Sequence, residues 1–465
     1  MKNLYNLDDE TIIARCTPSG SGALALIRLS GTDARLVANK ICKLPDGDKL
    51  PDGNLLSKPS HTVHYGWIID EVGKKIDQVL CILMDAPRTF TGQNIVEITC
   101  HNNPFIIEQI INLAIANGAR LAQEGEFSKR AFLNGKIDLI QAEAINSLIG
   151  ANTQFALKKT LGQLEGSFSS ELEKIEKKLI TSLAFCEASF EFLDEEAEFG
   201  DKIKQDIKLI LVQIEKLKKA YDNQKQIREG IRIALIGSVN AGKSSIFNAL
   251  LNQNRAIVTS IAGTTRDVIE AGLYKNGNYW TLVDTAGIRQ TDDLIESEGI
   301  KKSLEEAKKA DIIILTLDGS RNLTDQEEKM YQEIWQKHKN KIILTVNKSD
   351  LPIACKNELV KENHITISTQ TRKNIDELEN QIADKIENIF NLADSPFLLN
   401  KRQFNLLLGF EIKLKEILDS IDNAVQYEIL SLQLKDAISY LSELTGKSVS
   451  EAALDAVFKE FCVGK

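Results

Sequence analysis

No apolar run in this 465-residue chain approaches the ~20 residues that a membrane-spanning helix needs. The opening MKNLYNLDDE is acidic, so it reads neither as a secretory signal nor as an Arg-rich transit peptide. Among seven cysteines (Cys16, Cys42, Cys81, Cys100, Cys186, Cys355, Cys462) there is no CxxC pair. An odd, scattered set of this kind offers no disulfide framework and fits free thiols in a reducing compartment. These absences predict a cytoplasmic protein with no membrane partner. Internal repeats and low-complexity tracts are absent too, and no dense basic–aromatic patch marks a nucleic-acid surface. Net charge is −9, so a nucleic-acid partner must be met by a local basic patch against the field of the whole chain. Lys129-Arg130, Lys158-Lys159 and Lys216–Lys219 are weak candidates, since such segments are more often solvated faces.

What is present suits an ordinary globular protein, with 43% hydrophobic and 26% charged residues. The length allows about three domains at ~150 residues each. Residues 1–125 mix short β-type runs with turns: Thr11–Ala14, Leu24–Leu29, His61–Ile69, Gln78–Met84 and Ile95–Cys100. Helical stretches at Thr32–Ile41 and Pro104–Ala116 alternate with them, and PDGDKLPDGN (Pro45–Asn54) reads as a loop. This predicts an α/β or α+β domain. Across 126–228 the spacing turns helical, with Gly135 at a helix boundary and Asp201–Ala220 as a further helix. The cluster Asp194-Glu195-Glu196-Ala197-Glu198 reads as a solvated turn ahead of a metal or partner site. Across 229–391 strands alternate with helices: Ile231–Ile236, Tyr279–Val283, Ile312–Leu317, Ile342–Val346 and His364–Ile367, the doubly wound α/β pattern. Residues 392–465 are helical again. Helical style on both sides of one α/β block predicts a discontinuous all-α domain with that block inserted.

The block opens on IRIALIG, SVNAGKSS. A short apolar strand ends in glycine, and Gly237-x-x-x-x-Gly242-Lys243-Ser244 leads into a helix, the context that a phosphate-binding P-loop requires. Backbone N–H groups of Asn240, Ala241, Gly242, Lys243, Ser244 and Ser245 converge on phosphate oxygens, Lys243 reaches the outer phosphates, and the Ser244 hydroxyl ligates Mg²⁺. Asp284-Thr285-Ala286-Gly287 follows strand WTLV, placing a carboxylate toward the metal and a glycine N–H toward a γ-phosphate. Asn347-Lys348-Ser349-Asp350 follows strand IILTV. There the Asp350 carboxylate accepts from guanine N1–H and N2, a donor pair that adenine lacks, while Asn347 meets N7 and the Lys348 stem packs along the loops. The nucleotide is therefore GTP. Ser368-Thr369-Gln370 stands where such GTPases usually show Ser-Ala-Lys, which predicts weaker packing and some loss of affinity without loss of specificity. In the switch segment Gly263-Thr264-Thr265-Arg266-Asp267, Thr265 completes the Mg²⁺ shell once a γ-phosphate is present.

One expected residue is missing. Ile288 follows Asp-Thr-Ala-Gly, so the glutamine that orients attacking water in Ras-like proteins is absent. Asn240 is a candidate ligand for a monovalent cation beside the phosphates, and Glu296, in RQTDDLIESEG, a candidate for positioning water. From chemistry alone, both also fit ordinary surface residues.

Taken together these segments resemble the MnmE (TrmE) family of tRNA-modifying GTPases over essentially the whole chain. The resemblance rests on Thr17–Gly31 (TPSGSGALALIRLSG), Phe90–Pro104 (FTGQNIVEITCHNNP), Gly125–Ile145, GSVNAGKSS, IVTSIAGTTRD, DTAGIR and the closing Phe461-Cys462-Val463-Gly464-Lys465. It implies an N-terminal folate-binding and dimerising domain, a discontinuous helical domain and an inserted Ras-like G domain. It further implies a homodimer that works with the flavoprotein MnmG, as a heterotetramer, on the wobble uridine of certain tRNAs. There the pair forms a 5-carboxymethylaminomethyl or 5-aminomethyl group from the one-carbon unit of a reduced folate such as 5-formyltetrahydrofolate. By the same resemblance Asn240 becomes a K⁺ ligand with the backbone of Thr259, Ile261 and Thr264, and Glu296 and Lys243 become catalytic. The nucleotide contacts extend over Thr259, Ser260, Ile261, Ala262, Gly263, Thr264 and Thr265, and the folate site falls on Arg28, Glu97, Lys136 and Lys465. His101-Asn102-Asn103 departs from the family's usual His-Gly-Gly, which puts two side chains at glycine positions beside that site. Cys462 lies near it by motif, read as a small packed residue ahead of a reactive thiol. The rival reading is a ribosome- or RNA-assembly GTPase that acts as a binding switch and modifies nothing.

Overall fold

The computed structural model describes residues 10–46, 49–189, 196–219, 221, 224–252, 269–275, 277–285, 303–392, 395–423 and 426–465. The chain divides into two compact units, one formed by Met1–Asn146, Gln163–Asp194 and Ala424–Lys465, the other by Ser147–Gly162 and Glu195–Asn423.

The first unit is built on an eight-stranded sheet. Its strands are β1 (Thr11–Arg15), β2 (Leu24–Ser30), β3 (Cys42–Asp46), β4 (Lys49–Gly53), β5 (Thr62–Ile69), β6 (Lys75–Met84), β7 (Ile95–His101) and β8 (Ala119–Leu121), in the order β4-β3-β5-β6-β7-β2-β1-β8. Every described pairing is antiparallel except β1 with β8. Strict alternation decides which face is buried: in β2, Ala25, Ile27 and Leu29 face inward and Arg28 faces outward. Helices α1 (Ala34–Ile41) and α2 (Pro104–Ala116) cover the apolar face through Val37, Ala38, Ile41, Ile107, Ile110 and Ala114. The Asn103 side chain caps α2 by accepting from the Phe105 N–H at 2.9 Å, a contact worth about 1 kcal/mol. The expected loop at Pro45–Asn54 is corrected: most of it forms β3 and β4, an antiparallel pair with Asp46 opposite Lys49. Leu44 is buried there, and that core contact overrides the turn-forming composition of PDGDKLPDGN.

After β8 come α3 (Glu126–Leu133), α4 (Leu139–Ile149), α5 (Gln154–Leu164), α6 (Ser167–Ser189), α7 (Glu196–Lys219) and α8 (Gln224–Glu229). Gly135 follows α3 at φ +65°, the helix boundary expected of it.

The second unit carries a six-stranded sheet: β9 (Ile231–Gly237), β10 (Ile269–Lys275), β11 (Asn278–Asp284), β12 (Ile312–Asp318), β13 (Ile342–Asn347) and β14 (Ile365–Thr366), in the order β10-β11-β9-β12-β13-β14. All neighbours run parallel except β10 with β11. Its helices are α9 (Lys243–Asn252), α10 (303–309), α11 (Asp325–His338), α12 (Ile375–Leu392) and α13 (Lys401–Asp422). Two expectations need correction. The expected strands did not include β10, which pairs antiparallel with β11 next to Gly277 (φ +75°). Between β13 and β14 the described residues form only a short 3₁₀ turn, Glu358–Lys361.

The sequence closes with α14 (Tyr427–Thr445) and α15 (Glu451–Phe458) in the first unit. Within that unit α14 packs on α6, and within the second unit α13 packs on α7. Each pair joins a helix from before the α/β block to one from after it.

In the first unit, the Glu126 carboxylate accepts from Arg120 at 2.7 Å, Arg130 at 2.8 Å and the Gln123 N–H at 2.8 Å. Burial alone would raise its pKa; these donors outweigh burial and hold it below the ordinary glutamate value. A depressed folded-state pKa means that this stabilisation is present above the unfolded-state value and drains away as pH falls through the folded one. Glu126→Gln is expected to destabilise the first unit by about 2–3 kcal/mol at pH 7. It should also flatten the acid limb of stability below pH ~4.5, read from urea midpoints across pH.

Candidate functional site

In the second unit the chain order reverses at β9: β10 and β11 lie to one side of it, β12 to β14 to the other. Loops diverge at such a switch point and leave a crevice at the carboxyl ends of the strands. The P-loop leaves β9 there and enters α9 at Lys243. Asn240 at φ +61° and Gly242 at φ +94° turn the loop through left-handed backbone, and Asn240, Ser244 and Ser245 are exposed. Lys243 is 6% exposed, and its ammonium donates to the Gly237 carbonyl at 2.9 Å and the Ser238 carbonyl at 2.8 Å. Burial pushes the Lys243 pKa down, against the pull of the Asp284 carboxylate. Asp284 is buried at the end of β11, and the neighbouring Thr285 hydroxyl donates to the Leu235 carbonyl at 2.9 Å. A cation with two backbone anchors and a low-dielectric surround is primed to hold phosphate charge.

The base side of the crevice is tied directly to this loop. Asn347 is 1% exposed; its amide donates to the Ala241 carbonyl at 2.9 Å and accepts from the Thr369 N–H at 3.3 Å. The side chain foreseen as a contact to guanine N7 thus also clamps the P-loop to the 368–369 loop. A Cβ at Gly242 would overlap the Asn347 amide, so only glycine fits. Lys348, at φ +65°, is ion-paired with buried Asp318 at 2.6 Å. Burial alone would raise the Asp318 pKa, but Lys348 and Ser320 hold it low. The Ser368 hydroxyl donates to the Asp350 carboxylate at 2.6 Å and accepts from the Thr371 N–H at 3.2 Å. Ser368 thereby aims the carboxylate assigned to guanine, despite the unusual Thr369-Gln370 that follows.

Thr259, Ser260, Ile261, Ala262, Gly263, Thr264, Thr265, Ala286, Gly287 and Glu296 lie outside the described residues. Among the described residues no group of three or more His, Cys, Asp or Glu side chains forms a metal site. Beside the Asp284 carboxylate, the Mg²⁺ and K⁺ sets foreseen draw on hydroxyl, amide and backbone oxygens, of which those of Ser244 and Asn240 belong to exposed residues.

In the first unit, Arg28 and Glu97 occupy directly opposed positions of β2 and β7 and form a half-buried ion pair at 2.8 Å. The Arg28 guanidinium lies 5.7 Å from the Phe90 ring centre and 5.5 Å from that of Phe127. The closing segment threads into the same region. Glu124 bridges Val463, the Phe127 N–H donates to the Lys465 carbonyl at 3.0 Å, and a Cβ on Gly464 (φ +97°) would overlap the Arg15 carbonyl beside Cys16. Cys16 is close enough for the Arg28 and Glu97 charges to act on its thiol, whose pKa burial raises. The Lys136 ammonium donates to the Pro87 carbonyl at 2.9 Å, and its stem lies near Gly92; that of Lys465 donates to Asn146 at 3.3 Å. The structure therefore brings Arg28, Glu97 and the chain end into one region, with Lys136 beside the loop that carries Phe90.

The His101-Asn102-Asn103 departure is accommodated without left-handed backbone. Asn102 accepts from Arg15 at 2.9 Å and donates to the Gly20 carbonyl at 2.9 Å, pinning the Gly20–Gly22 loop, while Asn103 caps α2. Sequence reading missed Asp318, Arg321 and Tyr331, which support the phosphate and base loops from β12, the loop after it and α11. Asp318 had a visible signal, the carboxylate that ends the apolar strand IIILTLD.

Replacing Asp350, the carboxylate expected to read guanine, supplies a direct check of the base assignment. Asp350→Asn leaves one acceptor for N1–H and presents a donor where guanine also donates, whereas xanthine offers a carbonyl there. Affinity for GTP is expected to fall by about 100-fold or more, with xanthosine triphosphate becoming the better ligand in a competition assay.

Family models extend the picture across both units. The MnmE helical domain matches residues 139–462, and the N-terminus of the GTP-binding protein TrmE matches residues 11–136. A tRNA modification GTPase MnmE from Geobacillus thermodenitrificans is 39% identical over 98% of this chain and 99% of its own length. One from Bacillus anthracis is 38% identical over 99% of this chain and 100% of its own. Among solved structures, the G domain of the T. maritima FeoB iron transporter covers 33% of this chain at 24% identity, with a TM-score of 0.23, a likeness too slight to bear on function. On two family models and relatives matched nearly end to end, the chain belongs to the MnmE family of tRNA modification GTPases.

Proposed function

We propose that this GTPase is K⁺-dependent and, with the flavoprotein MnmG, forms the 5-carboxymethylaminomethyl or 5-aminomethyl group on the wobble uridine of certain tRNAs. The one-carbon unit comes from a reduced folate such as 5-formyltetrahydrofolate, bound by Arg28, Glu97, Lys136 and Lys465. In this reading the protein is a cytoplasmic homodimer that joins MnmG in a heterotetramer. Its segments are the folate-binding and dimerising 1–125, the helical 126–228 and 392–465, and the inserted G domain 229–391. The observation that carries the folate half is the convergence of Phe461–Lys465 on β1 and α3 beside the Arg28–Glu97 pair. Guanidinium and carboxylate side by side suit a pterin, which presents adjacent donors and acceptors, and a glutamate tail, which needs a cation. An RNA-assembly switch, the rival reading, has no use for such a pair joined to the end of its own chain.

At the nucleotide, Lys243 holds the outer phosphates from its anchors on Gly237 and Ser238. Ser244 and Thr265 would hold Mg²⁺; Asn240, with the backbone of Thr259, Ile261 and Thr264, would hold K⁺. Bound there, Mg²⁺ would neutralise phosphate charge and K⁺ would supply the positive charge that an arginine finger gives elsewhere. The donor chemistry fits: hydroxyl, amide and carbonyl oxygens are hard ligands suited to both ions. Glu296 orients the attacking water in place of the missing glutamine, and Asp350, aimed by Ser368, selects guanine.

Two outcomes are expected. GTP turnover in K⁺ should exceed that in Na⁺ at equal ionic strength by about tenfold or more, and Asn240→Ala should erase the difference, read as phosphate release. Equal rates in the two salts would remove the cation assignment. Isothermal titration with 5-formyltetrahydrofolate should give saturable binding that Arg28→Met weakens about 10- to 100-fold, the scale of a lost charged hydrogen bond. No binding heat to the wild-type chain would leave the RNA-assembly reading in its place.

A further inference from the structure

Tyr331, in the middle of α11, is among the largest side chains in the molecule with no exposed surface. Its hydroxyl does not point at a neighbouring apolar wall; it sits between two backbones. It accepts from the Ser238 N–H at 2.7 Å and donates to the Thr316 carbonyl of β12 at 2.6 Å. The last described rung between β9 and β12 pairs Gly237 with Thr316. The hydroxyl therefore occupies the place of the next rung, holding the two chains apart as the P-loop begins. Gly237 has no room for a side chain there: a Cβ would overlap the Thr316 carbonyl and stand 3.2 Å from the Tyr331 hydroxyl.

The peptide group that Tyr331 grips is the one between Gly237 and Ser238. Its N–H goes to Tyr331, and its carbonyl, that of Gly237, accepts from the Lys243 ammonium at 2.9 Å. One rigid amide plane thus has the tyrosine at one end and the phosphate-binding lysine at the other. Accepting at the N–H also polarises the carbonyl and strengthens its hold on the ammonium. Burial raises the Tyr331 pKa to about 12, so the phenol keeps the proton that it donates to Thr316. A second residue grips the same position. Arg321 donates to the Ser238 hydroxyl at 3.3 Å and is itself held by both oxygens of Glu327 in the first turn of α11, at 2.9 and 2.6 Å.

We propose that Tyr331 is a positioning residue for GTP hydrolysis: its hydroxyl fixes the Gly237–Ser238 peptide and through it the place of the Lys243 ammonium at the phosphates. The inference rests on the reading of Lys243 as the phosphate-binding lysine. Tyr331 never touches the nucleotide. Its effect is transmitted through one amide, and Arg321 supports the same point from the side-chain end.

The test uses the full-length chain and GTP in K⁺ and Mg²⁺. Tyr331→Phe keeps the ring and removes the one oxygen. It should lower kcat about tenfold, the scale of one buried hydrogen bond lost from a site that acts on charge. The base pocket is untouched, so the GTP/XTP preference should not change. Because the variant also leaves a buried N–H and C=O unpaired, a second form carries 3,5-difluorotyrosine at 331, which retains shape and hydroxyl while weakening the hydroxyl as an acceptor. That form should melt as the unmodified protein does and show a smaller fall in kcat, about two- to fourfold. Unchanged kcat in the difluorotyrosine protein, or in folded Tyr331→Phe, overturns the proposal. So does a loss of thermal stability with kcat per folded molecule intact, the signature of a purely structural tyrosine. Lys243→Ala run alongside separates the two readings. If it hydrolyses GTP normally, the site assignment itself fails; if it is inactive while Tyr331→Phe is normal, only the role of Tyr331 falls.

Discussion

The nucleotide half of this protein depends on a single clamp, the Asn347 amide lodged between the P-loop and the loop after β14. One end of the amide holds the Ala241 carbonyl and the other receives the Thr369 N–H. The P-loop and the loop after β14 therefore cannot drift apart. Gly242 is required because the clamp leaves it no space for a side chain, and the buried Asn347 amide finds a backbone partner at each end. Around the clamp the other contacts fall into two groups. Lys243 and Tyr331 fix the start of the P-loop, and Lys348 with Asp318 and Ser368 with Asp350 fix the base loops. Each is short; the first three engage a strand end or a helix, and Ser368 with Asp350 ties together the loops that follow β13 and β14.

The first unit solves a different problem. An ion pair on the outer face of a sheet is usually a solvated ornament worth little. Arg28 and Glu97 differ because Phe90, Phe127 and the threaded chain end narrow their access to water. The strand register makes the pair: Arg28 stands opposite Glu97 because Ile27 pairs with Ile98 and Leu29 with Val96 in the core. A one-residue slip of either strand would turn that strand's charge toward the core, so the hydrophobic pattern that holds the sheet also sets the pair.

Much of this was legible in the chain. The motif GSVNAGKSS, the carboxylate after WTLV and NKSD after IILTV each sit at the end of a strand whose apolar run gives its length to within a residue or two. Such runs are dictated locally, by burial on both faces. Other features depended on contacts distant in sequence and left no local mark. Strand β10 is an edge strand whose partner β11 supplies its reason to be extended. PDGDKLPDGN has every mark of a loop, yet Leu44 pulls it into the sheet. Tyr331 lies in DQEEKMYQEIWQKH, where periodicity marks it only as one more residue facing inward. That its hydroxyl ends at Ser238, 93 positions away, depends on how α11 lies against β12. Asn102 and Asn103 looked like obstacles at glycine positions, and each turned out to satisfy a backbone or side-chain partner.

The division of the chain has a consequence for how it is made. The second unit spans Ser147–Gly162 and Glu195–Asn423, while the first needs Ala424–Lys465 to cover α6 and to complete the surroundings of Arg28. During synthesis the nucleotide-binding unit therefore has all of its residues before the first unit does, although the first unit begins earlier. The helical part of the first unit must wait on the ribosome for α14 and α15, exposing in the meantime the apolar stripe of α6 that α14 will later cover. Such a chain spends its most vulnerable interval as a nascent polypeptide, when a chaperone is the natural stand-in for the segment still to come.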